Sequence, residues 1–284
     1  MALKLGDFKT DVHNDWCPGC GDFGVLNGIQ KAIASLDIKP KDVLIVSGIG
    51  CSSNLPHYVN TYGFHSIHGR SIPVATGAKL ANKDLTVIAV GGDGDGYGIG
   101  LGHLIHGMRR NLNLTYIVMN NGIYGLTTGQ ASPTSSLDMS TKSTPSGVIE
   151  SPINPIPLAI VSGATFVGRA FSGDTNHMAE LVANGITHNG FSMIDIFSPC
   201  VTYNKINTYD WYRNKVYKVE DDYDPTNFEA AIKKSYEYED RIPTGLIYKA
   251  NKPTYEEQDS VLSQAALIKQ DPIKLNDQSL DEFR

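Results

Sequence analysis

A chain of 284 residues, 41% of them hydrophobic and 19% charged, carries enough apolar material for one sizeable globular core with at most a small extension. A formal net charge of −6 argues against nucleic acid as the main partner. No apolar run approaches the ~18 residues of a membrane-spanning helix, and MALKLGDFKTDVHND lacks the apolar centre of a secretion signal, so no membrane partner, a cytoplasmic location and free thiols are expected.

In chain order, residues 1–16 are a polar lead-in to Cys17-Pro18-Gly19-Cys20-Gly21. A helical period from Asp22 to Ser35 places Val25, Leu26, Ile29, Ala32 and Ile33 inward. After a turn at 37–41, the apolar run Val43 to Ser47 reads as a strand that enters Gly48-Ile49-Gly50-Cys51-Ser52-Ser53. His65 to Arg70 leads to a helix from about Pro73 to Ala81, with proline in its first turn. A buried strand is expected at Thr86 to Val90, followed by twelve residues, Gly91 to Gly102, of which seven are glycine. The next helix turns Leu101, Leu104, Ile105 and Met108 to one side and ends in Arg109 and Arg110, near its negative terminus. Strand Thr115 to Met119 then runs into Asn120-Asn121-Gly122-Ile123.

Residues 131–157 are rich in Ser, Thr and Pro, and an irregular segment of that length inside a domain is commonly a functional loop. Thr165 to Ala170 reads as a strand, Asn176 to His188 as a helix and Ser192 to Phe197 as a strand that ends at Ser198-Pro199-Cys200. Past Val201 the composition changes: 203–218 is aromatic and basic, acids follow, and a short helix is expected at 226–238. The expected organisation is an α/β domain over 1–200 and an extension, 201–284, packed on it. Alternating strands and helices call for a parallel sheet with helices on both faces.

In such a sheet, ligands bind outside the carboxyl ends of the strands. The glycines after Val90 allow backbone N–H groups close to a diphosphate, and the following helix terminus adds positive potential. A dinucleotide fingerprint does not fit: counting from Gly94 or Gly96, the sixth position is Ile99 or Leu101. Asp93 and Asn121 are two oxygen donors brought from separate loops. Together with the Ile123 carbonyl they can fill one side of an octahedral magnesium ion, with phosphate oxygens and water on the other.

Gly92-Asp93-Gly94, then 25 residues, then Asn120-Asn121 resembles the thiamine diphosphate/magnesium motif. With the flanking GGDGDG, IYGLTTGQ and SPTS, the stretch is similar to the β subunit of 2-oxoacid:ferredoxin oxidoreductases, a likeness extending from about Trp16 to Trp211. The resemblance implies the thiamine diphosphate-binding (diphosphate-domain) fold. It implies oxidative decarboxylation of a 2-oxoacid, of the pyruvate or 2-oxoglutarate class, to an acyl-CoA, with coenzyme A as co-substrate and ferredoxin reduced. It also implies a cofactor lined by Ile49, Gly50, Cys51, Ser52, His68, Gly94, Asp95, Gly125 and Leu126. Asp95 has the simpler alternative of satisfying loop amides, and His68 that of packing or capping.

The four cysteines, Cys17, Cys20, Cys51 and Cys200, lie in loops or at strand ends. Four thiolates suit a [4Fe–4S] cluster or a tetrahedral zinc equally well, with thiol redox chemistry a lesser option. The thiamine motif tips the choice, because a two-electron oxidation feeding a one-electron acceptor needs a relay that zinc cannot provide. The resemblance assigns the same four positions to a [4Fe–4S] cluster. His103 and His106, spaced i, i+3, have no third ligand nearby and read as helix packing.

Thiamine enzymes need a glutamate against the aminopyrimidine ring, normally from a second domain, so the α subunit is expected to supply it and the active site to lie between two chains. Asn54 stands where relatives are expected to carry a lysine or arginine toward the substrate carboxylate. The cations Lys205, Arg213, Lys215 and Lys218 follow Cys200 and suggest a face for an acidic ferredoxin. Two other readings remain: a non-oxidative thiamine-dependent decarboxylase subunit with a structural zinc, and an inactive subunit that only binds thiamine diphosphate.

Overall fold

The computed structural model of the chain describes residues 2–271. Among them are ten strands and eight α-helices. The strands are β1 (Val43–Ser47), β2 (Tyr62–His65), β3 (Thr86–Gly92), β4 (Leu114–Asn120), β5 (Ile123–Tyr124), β6 (Gln130–Ala131), β7 (Phe166–Phe171), β8 (Phe191–Phe197), β9 (Val216–Lys218) and β10 (Ile242–Lys249). The helices are α1 (Asp22–Ser35), α2 (Ser71–Ala81), α3 (Leu101–Arg110), α4 (Pro155–Val161), α5 (Thr175–Thr187), α6 (Tyr209–Lys215), α7 (Phe228–Ser235) and α8 (Tyr255–Gln258). Asp22–Ser35 and Val43–Ser47 fall where the apolar periodicity places them.

Eight strands form one sheet in the order β2-β1-β3-β4-β8-β7-β10-β9. From β2 to β7 every pairing is parallel, while β10 runs antiparallel to β7. Side chains alternate between two cores, as a strand period of two requires. On β3, Ile88 and Val90 join a layer with Val25, Ile29 and Ile33 of α1 and with Met178 and Val182 of α5. Val87 and Ala89 of the same strand face Ile72, Leu104, Met108 and Ile160 of α2, α3 and α4 on the other side. The expected α/β architecture, with helices on both faces, is the one found.

Residues past 200 add β9 and β10 to the sheet edge. The extension read over 201–284 reaches beyond the described residues at 272–284. Among the described residues, no helix is long and apolar enough to cross a membrane.

The chain leaves β1 toward β2 on one side and then returns to β3 on the other, so strand order reverses between β1 and β3. That is where an open parallel sheet leaves a crevice at its carboxyl edge.

Candidate active site

The crevice holds a recess of about 470 Å³. It is lined by Ile49, Gly50, Cys51 and Ser52 after β1, by His68 after β2, by Gly92 to Asp95 at the end of β3, and by Asn121 and Ile123 to Thr127 after β4. Every residue expected to line a cofactor or hold magnesium therefore borders one cavity. Asn54 does not: it is half-buried on the short helical turn Cys51–His57, beyond the lining residues.

The glycine run after β3 was expected to be a loop, but it is a wide helical turn over Gly94–Ile99, closed by Gly100 N–H donating to the Asp95 carbonyl at 2.8 Å, and it continues into α3. Such widened turns recur at functional sites. Glycine is required at Gly94, where an added Cβ would collide with the Tyr124 ring, whose hydroxyl donates to the Gly94 carbonyl at 3.0 Å.

Asp95 ties three strand-end loops together. Its Oδ1 accepts from Ile49 N–H at 3.0 Å and Gly69 N–H at 2.7 Å, and His68 Nδ1 lies 2.9 Å away. Burial raises its pKa, and these two amides and His68 oppose the rise. The loop-amide role is thus present, at the wall of the cavity.

Asp93 is buried to 1% exposure, and among the described residues no cationic side chain pairs with it. Burial lifts its pKa; hydroxyls of Ser132 and Thr134 and the Asn121 amide oppose the rise. Asn121 N–H donates to Asp93 Oδ1 at 3.3 Å, and Asn121 Oδ1 accepts from Ile123 N–H at 3.0 Å. A buried carboxylate without a cation is costly, and a bound divalent ion removes that cost. The oxygen-only donor set around it is what magnesium takes. The residues fit.

Cys51 and Cys200 come together at the wall of the same cavity. A Cβ at Gly125 would lie 3.6 Å from Cys51 Sγ and 3.8 Å from Cys200 Sγ. Burial, followed by the Asp22 carboxylate and the Cys200 and Cys51 thiols, drives the Cys20 thiol far above its ordinary range. Cys51 is pushed up to about 11 by burial, Asp22, Cys200 and Cys17. Thiols kept neutral by burial in this way are poor nucleophiles, and a bound metal centre reverses the effect by holding them as thiolates. Among the described residues, no three His, Cys, Asp or Glu side chains converge on one ion. The Trp16 indole N–H donates to the Cys51 carbonyl at 2.6 Å and holds the Cys51 turn in place.

Two contributors escaped the sequence reading. Tyr124 lines the recess, and Thr134, inside the SPTS stretch, donates to Asp93 Oδ2 at 2.7 Å. Their signal was the motif itself, to which no role had been given. The four cations after Cys200 are all engaged locally: Arg213 with Asp210 at 2.9 Å, Lys218 with Asp174 at 3.1 Å, Lys205 with the Val201 carbonyl, and Lys215 with the Glu239 carbonyl.

Residues 48–196 match the family described as thiamine pyrophosphate enzyme, C-terminal TPP binding domain. Residues 200–264 match the family described as the C terminal of the pyruvate ferredoxin oxidoreductase beta subunit. The chain is 49% identical over 270 residues to 2-oxoacid:ferredoxin oxidoreductase 1, subunit beta, of Aeropyrum pernix, covering 90% of this chain and 85% of that one. It is 50% identical over 248 residues to the 2-oxoacid:ferredoxin oxidoreductase subunit beta of Saccharolobus solfataricus, covering 83% and 81%. Among solved structures it resembles the 2-oxoglutarate:ferredoxin oxidoreductase from Magnetococcus marinus with 2-oxoglutarate, coenzyme A and succinyl-CoA bound. That match has a TM-score of 0.88 and 46% identity, over 89% of this chain and 87% of the other. A strand-end cavity built on Asp93 and Asn121, with relatives this similar along nearly the whole chain, places the protein in one family: it belongs to the β subunits of the 2-oxoacid:ferredoxin oxidoreductases.

Proposed function

We propose that this β subunit holds magnesium–thiamine diphosphate and one [4Fe–4S] cluster side by side, and that with an α subunit it converts a 2-oxoacid and coenzyme A to an acyl-CoA and CO2 while reducing ferredoxin. One observation carries the reading: Gly125 borders the cavity of Asp93 and Asn121, and a Cβ placed on it would touch the sulfurs of Cys51 and Cys200. Carbon chemistry and electron relay would then share a wall.

When bound, thiamine diphosphate supplies the carbanion chemistry that releases CO2 from a 2-oxoacid, and the cluster supplies one-electron steps to ferredoxin. Asp93, the Asn121 side-chain oxygen and the Ile123 carbonyl would hold the metal. Ile49, Gly50, Ser52, Gly94, Gly125 and Leu126 leave backbone room for the diphosphate, and Asp95 fixes the loops that carry them. His68, turned by its Nδ1 contact with Asp95, keeps its other ring nitrogen for a ligand. Cys17, Cys20, Cys51 and Cys200 would hold the cluster. Among the described residues, the recess is lined by the acids Asp93 and Asp95 and by no glutamate, and the ylide-promoting glutamate would come from the α subunit. Exposed apolar residues near its mouth, Ile67, Ile99 and Leu126, suit coverage by that partner.

Relatives named 2-oxoglutarate oxidoreductase subunit KorB, from Mycobacterium tuberculosis at 48% identity over 201 residues, and the Magnetococcus marinus enzyme support a 2-oxoglutarate-class substrate. The bound coenzyme A in the latter supports its role as acyl acceptor. Anaerobic purification tests the reading: the protein should be brown, with about four irons per chain. Serine at any one of the four cysteines should reduce the iron content. Stoichiometric zinc without iron would contradict the redox assignment and favour a non-oxidative decarboxylase.

A further inference from the structure

We propose that Thr134 is a positioning residue that occupies one oxygen of Asp93, and that this sets the site's preference for magnesium over calcium. The inference rests on the reading of Asp93 as a metal ligand.

Thr134 is buried, on the Ser/Thr loop that follows β6. Its hydroxyl lies 2.7 Å from Asp93 Oδ2 and 2.9 Å from Asn120 Oδ1. The hydroxyl has one proton and two acceptors, and an ionised carboxylate takes it in preference to an amide oxygen. The loop is fastened to the metal-side turn on its other flank, where Ser135 Oγ donates to the Gly122 carbonyl at 2.6 Å and accepts from Ser132 N–H at 2.8 Å.

What stands behind Thr134 is equally fixed. Asn120 Nδ2 donates to Asp195 Oδ1 at 3.1 Å, which turns Asn120 Oδ1 toward Thr134. Tyr97 donates to the same Asp195 oxygen at 2.9 Å, and Arg169 Nε lies 3.6 Å from Asp195 Oδ2. The Arg169 guanidinium lies against the rings of Phe197 and Tyr238, at 5.4 and 5.2 Å from their centroids. Asp195 and Arg169 are fully buried, so this chain of polar groups has no water to rearrange into.

The consequence falls on Asp93. Its Oδ2 is occupied by Thr134, Oδ1 takes the long 3.3 Å contact from Asn121 N–H, and the Ser132 hydroxyl is a further neighbour of the carboxylate. A carboxylate held in this way offers one oxygen to a cation. Magnesium, small and strictly octahedral, suits single-oxygen ligation, whereas calcium accepts both oxygens at longer range.

The test uses the assembled αβ complex carrying Thr134→Val or Thr134→Ser. Thiamine diphosphate binding is followed by calorimetry while Mg2+ and, separately, Ca2+ are titrated. Valine should cost about tenfold in apparent Mg2+ affinity, the size of a lost charge-assisted hydrogen bond. Ca2+ affinity should hold or improve, so the Mg2+/Ca2+ ratio drops; serine should restore it. Thr134→Ala, which removes the hydroxyl with less steric demand, gives the same reading should the valine variant not assemble. An unchanged ratio overturns the proposal, whether both affinities stay or fall together, and so does a serine variant that behaves like valine. A wild-type complex that binds thiamine diphosphate without any divalent cation would instead overturn the assignment of Asp93.

Discussion

Asn121 donates its backbone N–H to Asp93 Oδ1 across 28 residues of sequence, because the carboxyl ends of β3 and β4 are neighbours in one parallel ladder. The contact joins the two halves of the proposed magnesium site. It also explains why the pair is separated by one strand–helix–strand unit: the helix crossover is what parallel neighbours require.

Asp93→Ala should therefore leave the sheet intact and empty the cofactor site. Changes in the surroundings of a metal ligand already cost 10–100-fold in affinity, so loss of the carboxylate should cost about a hundredfold or more in thiamine diphosphate binding. Calorimetric titration of the assembled complex checks this. Unchanged affinity would place the metal in another loop.

Much of this was legible because the strands and the site obey local rules. Asp22–Ser35 and Val43–Ser47 match their periodicities end to end, and the Asp93/Asn121 spacing identified the cavity before its walls were seen. β10 was not legible: Pro243 and Gly245 within Ile242–Lys249 are poor strand residues, yet the strand tolerates them beside the short edge strand β9 and a bulge against β7. β2 carries a glycine in only four residues and no alternation, so its place at the sheet edge comes from pairing with β1. The Gly94–Ile99 turn was read as a loop because glycine has poor helix propensity; the close approach of the Tyr116 and Tyr124 side chains to Gly96 and Gly94 decides it instead. Thr134 escaped because its partner lies 41 residues away, beyond any local pattern.

Arg213 and Lys218, two of the cations read from sequence as a ferredoxin face, are each paired with an acid of this chain. If an acidic ferredoxin docks there, its reduction rate should fall with added salt while viologen reduction holds. Stopped-flow rates with both acceptors decide. Parallel salt effects on the two acceptors would remove the segment from docking.

Asn54 lies on the Cys51–His57 turn, outside the recess walls. Lysine there carries a longer, charged side chain toward a substrate carboxylate. Asn54→Lys in the complex should raise kcat/KM for 2-oxoglutarate relative to pyruvate, since the dianion gains more from the charge. A ratio that stays within error would show that the turn does not meet the substrate.

Burial lowers the His188 pKa from 6.5 to about 4, and the nearby Lys249 adds to the effect. Its Nε2 lies 2.8 Å from Thr165 Oγ1, which itself donates to Asn111 at 2.7 Å, so the ring is a neutral donor. A folded pKa below the unfolded one means that the stability from this group is present above 6.5 and is lost as pH falls toward 4. Wild type should thus lose more Tm across that window than His188→Gln, which keeps a donor and cannot charge. Equal losses would show that His188 does not set the acid limit.

The most direct measurement is substrate-dependent electron transfer by the α and β chains, co-expressed and purified without oxygen, against the β chain alone. The assembled pair should reduce ferredoxin only when thiamine diphosphate, Mg2+, coenzyme A and a 2-oxoacid are all present, and the β chain alone should reduce none. A pair that releases CO2 without reducing any acceptor, or a β chain that turns over unaided, would contradict the account.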